Sequence, residues 1–265
     1  MRRVLLVCAG IAAVVAAWAV AAFVQTAHAE LATIPARVRR ALRAERSPFV
    51  PLSQVSPWLP LAAVAVEDRS FWTNPGVSLE GIARAALVDV ASAAFAQGGS
   101  TITQELVRDQ LLGYRKSLVR KAREAAYALL LTRMLPKREI LALYLNEVNY
   151  GNGAFGAYAA SEAYFGVPPR RLTLAQSALL AGLPQDPAGL DPFQHPAAAT
   201  TRRAEVLRAL AAVGDISRQR AAAIARWPLG LSPAAAGGIP AHPGPSGRAC
   251  GSTRRGGGPT ACPTR

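Results

Sequence analysis

Glu67 and Asp68 close a strongly apolar run, Leu61-Ala-Ala-Val-Ala-Val66. A carboxylate at an apolar boundary is disfavoured in its charged form, so its pKa rises toward the range that suits a general base. The same pair also fits an ordinary helix-end carboxylate. Arg120-Lys121-Ala-Arg123-Glu124 is a second cluster. Arg120 and Glu124, four apart, share a helix face and can pair, although a solvated charged stripe has the same pattern. Gly98-Gly99-Ser100-Thr101 stands before a helix, where free backbone N–H groups and two hydroxyls can cradle a phosphate. Each signal is weak alone.

These groups must be held by something, and 265 residues allow one domain or two small ones. Apolar residues make up 51% and charged residues 17%, which excludes wholesale disorder. Thirty basic against sixteen acidic residues give a net charge of +14. That charge favours an anionic partner: nucleic acid, acidic lipid or a phosphorylated substrate. The N-terminus narrows the choice. No residue from Val4 to Val24 is charged. A helix of that length, at ~1.5 Å per residue, spans a bilayer's hydrocarbon core. Arg2 and Arg3 mark residues 1–3 as the cytoplasmic end. A cleaved signal peptide competes, because Ala27-His28-Ala29 fits a small-x-small site, but the length of the run favours a retained anchor. Either reading exports the body of the protein, which argues against nucleic acid as a partner.

Residues 25–57, with prolines at 35, 48, 51 and 57, read as a linker. From 58 onward the chain reads as helix after helix: 59–71, 78–95, one opened by Thr101 and Gln104, 117–134, 136–148, 155–165, 173–182, 200–213 and 217–226. Thr101 with Gln104 has the capping-box pattern. No stretch has sustained strand alternation, so the fold is mainly α. Residues 231–265 form a basic Pro/Gly-rich tail expected to be disordered. Cys250 and Cys262 lie within it and could pair in an oxidising compartment; Cys8 lies in the apolar run. Three scattered histidines give no metal-ligand cluster. Gly151-Asn-Gly-Ala-Phe-Gly156 fits GxGxxG, yet it follows a helical segment and not a strand, so it reads as an interhelical loop.

The order of the segments adds more than any one of them. Ala62-Ala-Val-Ala-Val-Glu-Asp-Arg-Ser-Phe-Trp-Thr-Asn-Pro-Gly-Val77, Gly98-Gly-Ser-Thr-Ile-Thr-Gln-Glu-Leu106, Arg120-Lys-x-x-Glu124, Lys137-x-x-Ile-Leu-x-x-Tyr-Leu-Asn146 and Leu172-Thr-Leu-Ala-x-x-Ala-Leu-Leu-Ala-Gly-Leu-Pro184 follow one another. This series resembles the five motifs of the peptidoglycan glycosyltransferases, glycosyltransferase family 51, as found in monofunctional enzymes and in class A penicillin-binding proteins. The resemblance covers residues 58–195, with weaker similarity through the helices of 196–230. It implies a lysozyme-like, mainly α domain behind one N-terminal transmembrane helix. The implied activity is polymerisation of lipid II on the outer side of the bacterial cytoplasmic membrane. Donor and acceptor would be the growing glycan on undecaprenyl pyrophosphate and one lipid II molecule.

By the same resemblance Glu67 is the catalytic base and Glu124 the second essential glutamate. Arg108, Arg120, Lys121 and Arg123 fall where the family binds pyrophosphate. Asp68, Phe71, Asn74, Gly76, Gly99, Ser100, Thr101 and Gln104 fall at substrate-binding positions. No cofactor is required; a divalent cation at the pyrophosphate is compatible with the family, and the sequence contains no cage for one. The residues agree with this chemistry. Inverting transfer needs a base on one face and charge stabilisation of the leaving group on the other. Arginine, lysine and helix N-termini serve a pyrophosphate. Largely apolar residues 79–96 match the lobe that dips into the bilayer. No Ser-x-x-Lys motif is present, which suggests a monofunctional enzyme working beside a separate transpeptidase.

Several positions depart from the family. Asn74 stands for histidine, Glu105 for glutamine, Asp109 for asparagine and Arg108 for lysine; Thr132 and Ala142 each stand for glutamate. Glu105 and Asp109 are expected to add negative charge and weaken anion binding. Two alternatives follow: a catalytically weakened, membrane-anchored protein that binds lipid II or the cell-wall machinery, and a lysozyme-like hydrolase.

Overall fold

The computed structural model describes residues 2–78, 81, 99–115 and 117–232. The expectations for 79–96, for the tail from 233 onward and for the Cys250–Cys262 pair lie outside the described residues. Among the described residues every regular element is helical, apart from one antiparallel bridge between Asn149 and Phe155. The expected mainly α fold is what the chain adopts.

Helix α1 (Arg2–Leu31) is long and apolar enough to cross a membrane, and Val4, Leu6, Val7, Ile11, Val14, Val15 and Trp18 are exposed along it. Its last turns are different. Ala27 and Leu31 are fully buried against the domain. Helix α2 (Ile34–Ala44) follows at once and buries Ile34, Val38 and Leu42. Residues 25–57 are therefore part of the folded body and not the linker their prolines suggest. Pro35 sits in the first turn of α2, where its missing N–H costs nothing, and the i, i+4, i+8 spacing supplies a buried face.

Helix α3 (Trp58–Glu67) carries Leu59, Ala62, Ala63, Val64 and Ala65 into the core. Small side chains let it pack closely between α8 (Leu174–Gly182) and α9 (Pro196–Ala212). Helix α4 (Ile102–Val107) opens on the expected capping box and runs into a π-helical stretch over Arg108–Leu112. Helix α5 (Leu118–Met134) buries Glu124, Tyr127, Ala128 and Leu131, one stripe at helical spacing. Helix α6 (Lys137–Glu147) is buried continuously from Ile140 to Asn146, as befits a central helix. It touches α2, α4 and α7 (Gly156–Phe165). Asn146 ties it to the N-terminal segment: its side chain accepts from Val50 N at 2.8 Å and donates to Val50 O at 2.7 Å. The 151–156 loop joins α6 to α7, as an interhelical connection should. Helix α10 (Arg218–Ala225) packs on α9.

Candidate active site

A cleft of about 600 Å³ opens where the C-terminal end of α3 meets α4, the π-helical stretch, the start of the α6–α7 loop, the segment after α8, and α9. Glu67 is the last residue of α3 and lines this cleft. Its side chain is one-fifth exposed (20%). Its Oε1 is buried and accepts no hydrogen bond from the described residues; the Arg202 Nη2 lies 3.7 Å away, a charge contact beyond hydrogen-bond range. Burial pushes the Glu67 carboxyl above its ordinary pKa, and the positive charges of Arg202 and Arg108 pull it partly back. A raised pKa and an unbonded oxygen are what a proton acceptor needs.

Arg108 also lines the cleft. It donates from Nε to Asp109 at 2.7 Å, approaches Glu105 at 3.9 Å and lies over the Tyr114 ring at 5.3 Å. Glu105 is pushed up to about 8, by burial first and then by the nearby Glu67 charge. Tyr144 donates to it at 3.2 Å. These influences favour the neutral form of Glu105, which is close in shape and hydrogen bonding to glutamine, and so work against the negative charge expected of it. The charge of Asp109 is matched directly by Arg108. Glu147, bonded by Gln110 at 3.1 Å, is likewise raised to about 8, chiefly by burial.

Glu124 does not line the cleft. It is essentially inaccessible (1%) and pairs with Arg120 at 2.5 Å and with Lys121. Gln104 adds a donor at 3.4 Å. Lys121 also donates to Ser100 Oγ at 2.7 Å, and Ser100 does line the cleft. The expected phosphate cradle is thus half committed to the fold. The Thr101 hydroxyl accepts from Gln104 N at 3.1 Å and donates to Gly76 O at 2.7 Å. Gly99 leads into this segment.

Asp68, Phe71, Asn74 and Gly76 form a buried brace behind Glu67 and do not line the cleft. Asn74 Nδ2 donates to both Asp68 oxygens at 2.9 and 3.0 Å, and its Oδ1 accepts from Gly76 N and Lys137 Nζ, each at 2.9 Å. Lys137 also sits 4.6 Å above the Phe71 ring. Asparagine in place of histidine leaves this network satisfied. Gly76 has φ +111, and a Cβ there would run into the Ala128 carbonyl of α5. The brace therefore sits directly on the helix that carries Glu124.

Arg123 is placed apart from the cleft. It donates to the Tyr127 hydroxyl at 3.2 Å, and Tyr127 donates to Glu30 of α1 at 2.7 Å. Sequence reasoning missed Arg202, which lies beyond the five motifs. Its signal was an Arg202-Arg203 pair in an otherwise alanine-rich helix. For a divalent cation the residues fit poorly. Among the described residues no group of three or more His, Cys, Asp or Glu is arranged to hold a metal, and Arg108 stands among the carboxylates.

The cleft is walled by Arg108 and Arg202 and by the carboxyl groups of Glu67, Glu105 and Asp109, in a helical domain continuous with a long apolar helix. The transglycosylase family profile matches residues 34–211, and the chain belongs to that family. It is 39% identical over 189 residues to penicillin-binding protein 2D of Bacillus subtilis, covering 71% of this chain and 27% of that protein. It is 40% identical over 172 residues to penicillin-binding protein 1A of Aquifex aeolicus (65% and 24%), and 40% identical over 171 residues to that of Escherichia coli (64% and 20%). The chain thus spans about a quarter of the length of these relatives. Penicillin-binding protein 1A of Haemophilus influenzae aligns in structure with a TM-score of 0.43 at 23% identity, covering 70% of this chain and 18% of that one.

Proposed function

We propose that this chain is a peptidoglycan glycosyltransferase that polymerises lipid II on the outer face of the cytoplasmic membrane, with α1 as its anchor. The observation that carries the reading is Glu67: a mostly buried carboxylate with a raised pKa and an unbonded Oε1, at the wall of a cleft that also holds Arg108 and Arg202. Glu67 takes the proton from the acceptor's 4-hydroxyl as that oxygen attacks the anomeric carbon of the donor. The α-linked diphosphate leaves from the opposite face, so the new bond is β-1,4. Arg108, and Lys121 behind Ser100, stabilise the departing charge. Glu124 holds Arg120 and Lys121 in place. Both substrates stay in the bilayer, so an anchored enzyme meets them in two dimensions. A transpeptidase elsewhere would cross-link the product.

The purified full-length chain, given lipid II in detergent or lipid, is expected to yield glycan polymer that disappears with Glu67→Gln. No polymer from the unaltered protein under any such condition overturns the reading. Lipid II binding without turnover would point to the weakened binding protein, and soluble fragments from purified cell wall to a hydrolase.

A further inference from the structure

We propose that Arg202 is a positioning residue for Glu67, and that helix α9, outside the five motifs, thereby completes the active site. The inference rests on the reading of Glu67 as the base. The guanidinium of Arg202 has a separate partner for each nitrogen. Nε donates to Gly182 O at 3.2 Å, Nη1 meets Glu205 at 3.0 Å and Nη2 faces Glu67 Oε1 at 3.7 Å. The Gly182 carbonyl and Glu205 fix the plane of the group, leaving one edge aimed at the base. Its stem can take this path because residue 182 is glycine: a Cβ there would lie 2.8 Å from Arg202 Cγ.

The neighbouring arginine fixes the helix itself. Arg203 is fully buried and donates to the carbonyls of Pro228 at 3.0 Å, Ala225 at 3.3 Å and Trp227. That clamp at the end of α10 sets the rotation of α9 and turns Arg202 toward the cleft. Among the described residues, the titratable groups facing Glu67 are Arg202 from α9, Arg108 from the π-helical stretch, Glu105 from α4 and Tyr144 from α6. Asp109 neutralises Arg108 at 2.7 Å, and Glu105 and Tyr144 offer no positive charge. Because no hydrogen bond from the described residues reaches Oε1, the charge of Arg202 is the main offset to the burial of that oxygen among them.

The test is the pH profile of lipid II polymerisation by the full-length protein. Removing a cation from beside a carboxylate raises its pKa, and the base works only when ionised. Arg202→Gln is therefore expected to move the rising limb of kcat/KM up by about one pH unit, about tenfold in rate anywhere on that limb. Arg202→Lys should recover part of the shift. Gly182→Ala should reproduce it by displacing the stem. Arg208→Gln, an exposed site on the same helix, should leave the profile alone. A profile for Arg202→Gln that superimposes on the unaltered one, or a loss equal at every pH, overturns the proposal. Carboxyl 13C NMR supplies a second readout that needs no turnover, with the Glu67 signal assigned by its absence in Glu67→Gln. If the unaltered protein makes no polymer, the base reading fails while this titration still decides the Arg202–Glu67 relation: an upward shift in Arg202→Gln upholds it, and an unmoved signal overturns it.

Discussion

Lys121 donates to Ser100 at 2.7 Å, and through that contact the buried Glu124 is connected to the cleft. Glu124 itself has no cleft surface. In the proposed mechanism it acts through the cations it holds, of which Lys121 is the one bonded to a cleft-lining residue.

Lys121→Met is expected to lower polymerisation at least tenfold, with much of the loss in KM for lipid II, because a charge-assisted donor to the diphosphate side disappears. Lys121→Arg keeps the charge but not the compact ammonium, so it should recover only part of the activity. Steady-state kinetics on both variants check this.

The ionisation of Glu67 should be visible in the unaltered protein. Burial raises its pKa, and the base form is the ionised one. Polymerisation is thus expected to rise with pH above the range of an ordinary carboxylate. In Glu67→Gln this limb should vanish along with ~10²–10⁴-fold of the rate. A kcat/KM profile measured on both proteins decides it.

Glu105 gives a second pH signature. Burial and the Glu67 charge push its carboxyl up to about 8 from an ordinary 4.5, which favours the protonated form at neutral pH. Because that folded value is raised, its contribution to stability is fully present below about pH 4.5 and is lost as pH rises through about 8. Glu105→Gln is expected to flatten that decline, by at most about 1.4 kcal/mol per pH unit. It should change activity little at pH 7 and raise it relative to the parent above pH 8, where the parent's carboxylate ionises beside the leaving group. Thermal melts and initial rates across this range test both statements.

Gly76→Ala combines a left-handed backbone with a clash against α5. A destabilisation of ~1–3 kcal/mol from backbone strain alone is expected, with activity lost as the brace lifts from the Glu124 helix. A lowered Tm with unchanged helical content would establish it.

Much of this architecture was legible because helices advertise themselves by period. The Thr101–Gln104 box and the Arg120–Glu124 pair are local patterns, and both form as read. Residues 25–57 were misread because prolines outweighed the Ile34, Val38, Leu42 spacing, although proline in a first turn is compatible with a helix. Glu105 was misjudged for a different reason. Its charge state depends on burial beside Glu67 and Tyr144, which are far away in sequence. Arg202 was invisible because nothing in an alanine-rich stretch announces which neighbour an arginine will face. Thr101 was offered to a ligand when its hydroxyl was already committed to Gly76.

Helix α1 runs without a break from its apolar stretch into the folded body. The Phe23 and Tyr127 rings meet in a tilted pair, 5.7 Å between centres, Glu30 accepts from the Tyr127 hydroxyl, and Ala27 and Leu31 are sealed against the domain. The tether is a stiff mast and not a leash. With α1 in a bilayer as its proposed anchor, tilt of the mast would carry over to the folded body, and bilayer thickness would bear on how high the proposed active site stands above the headgroups. One alanine inserted between Val24 and Ala27 would swivel that chamber by about 100° about the mast, at 3.6 residues per turn, without altering any residue inside it.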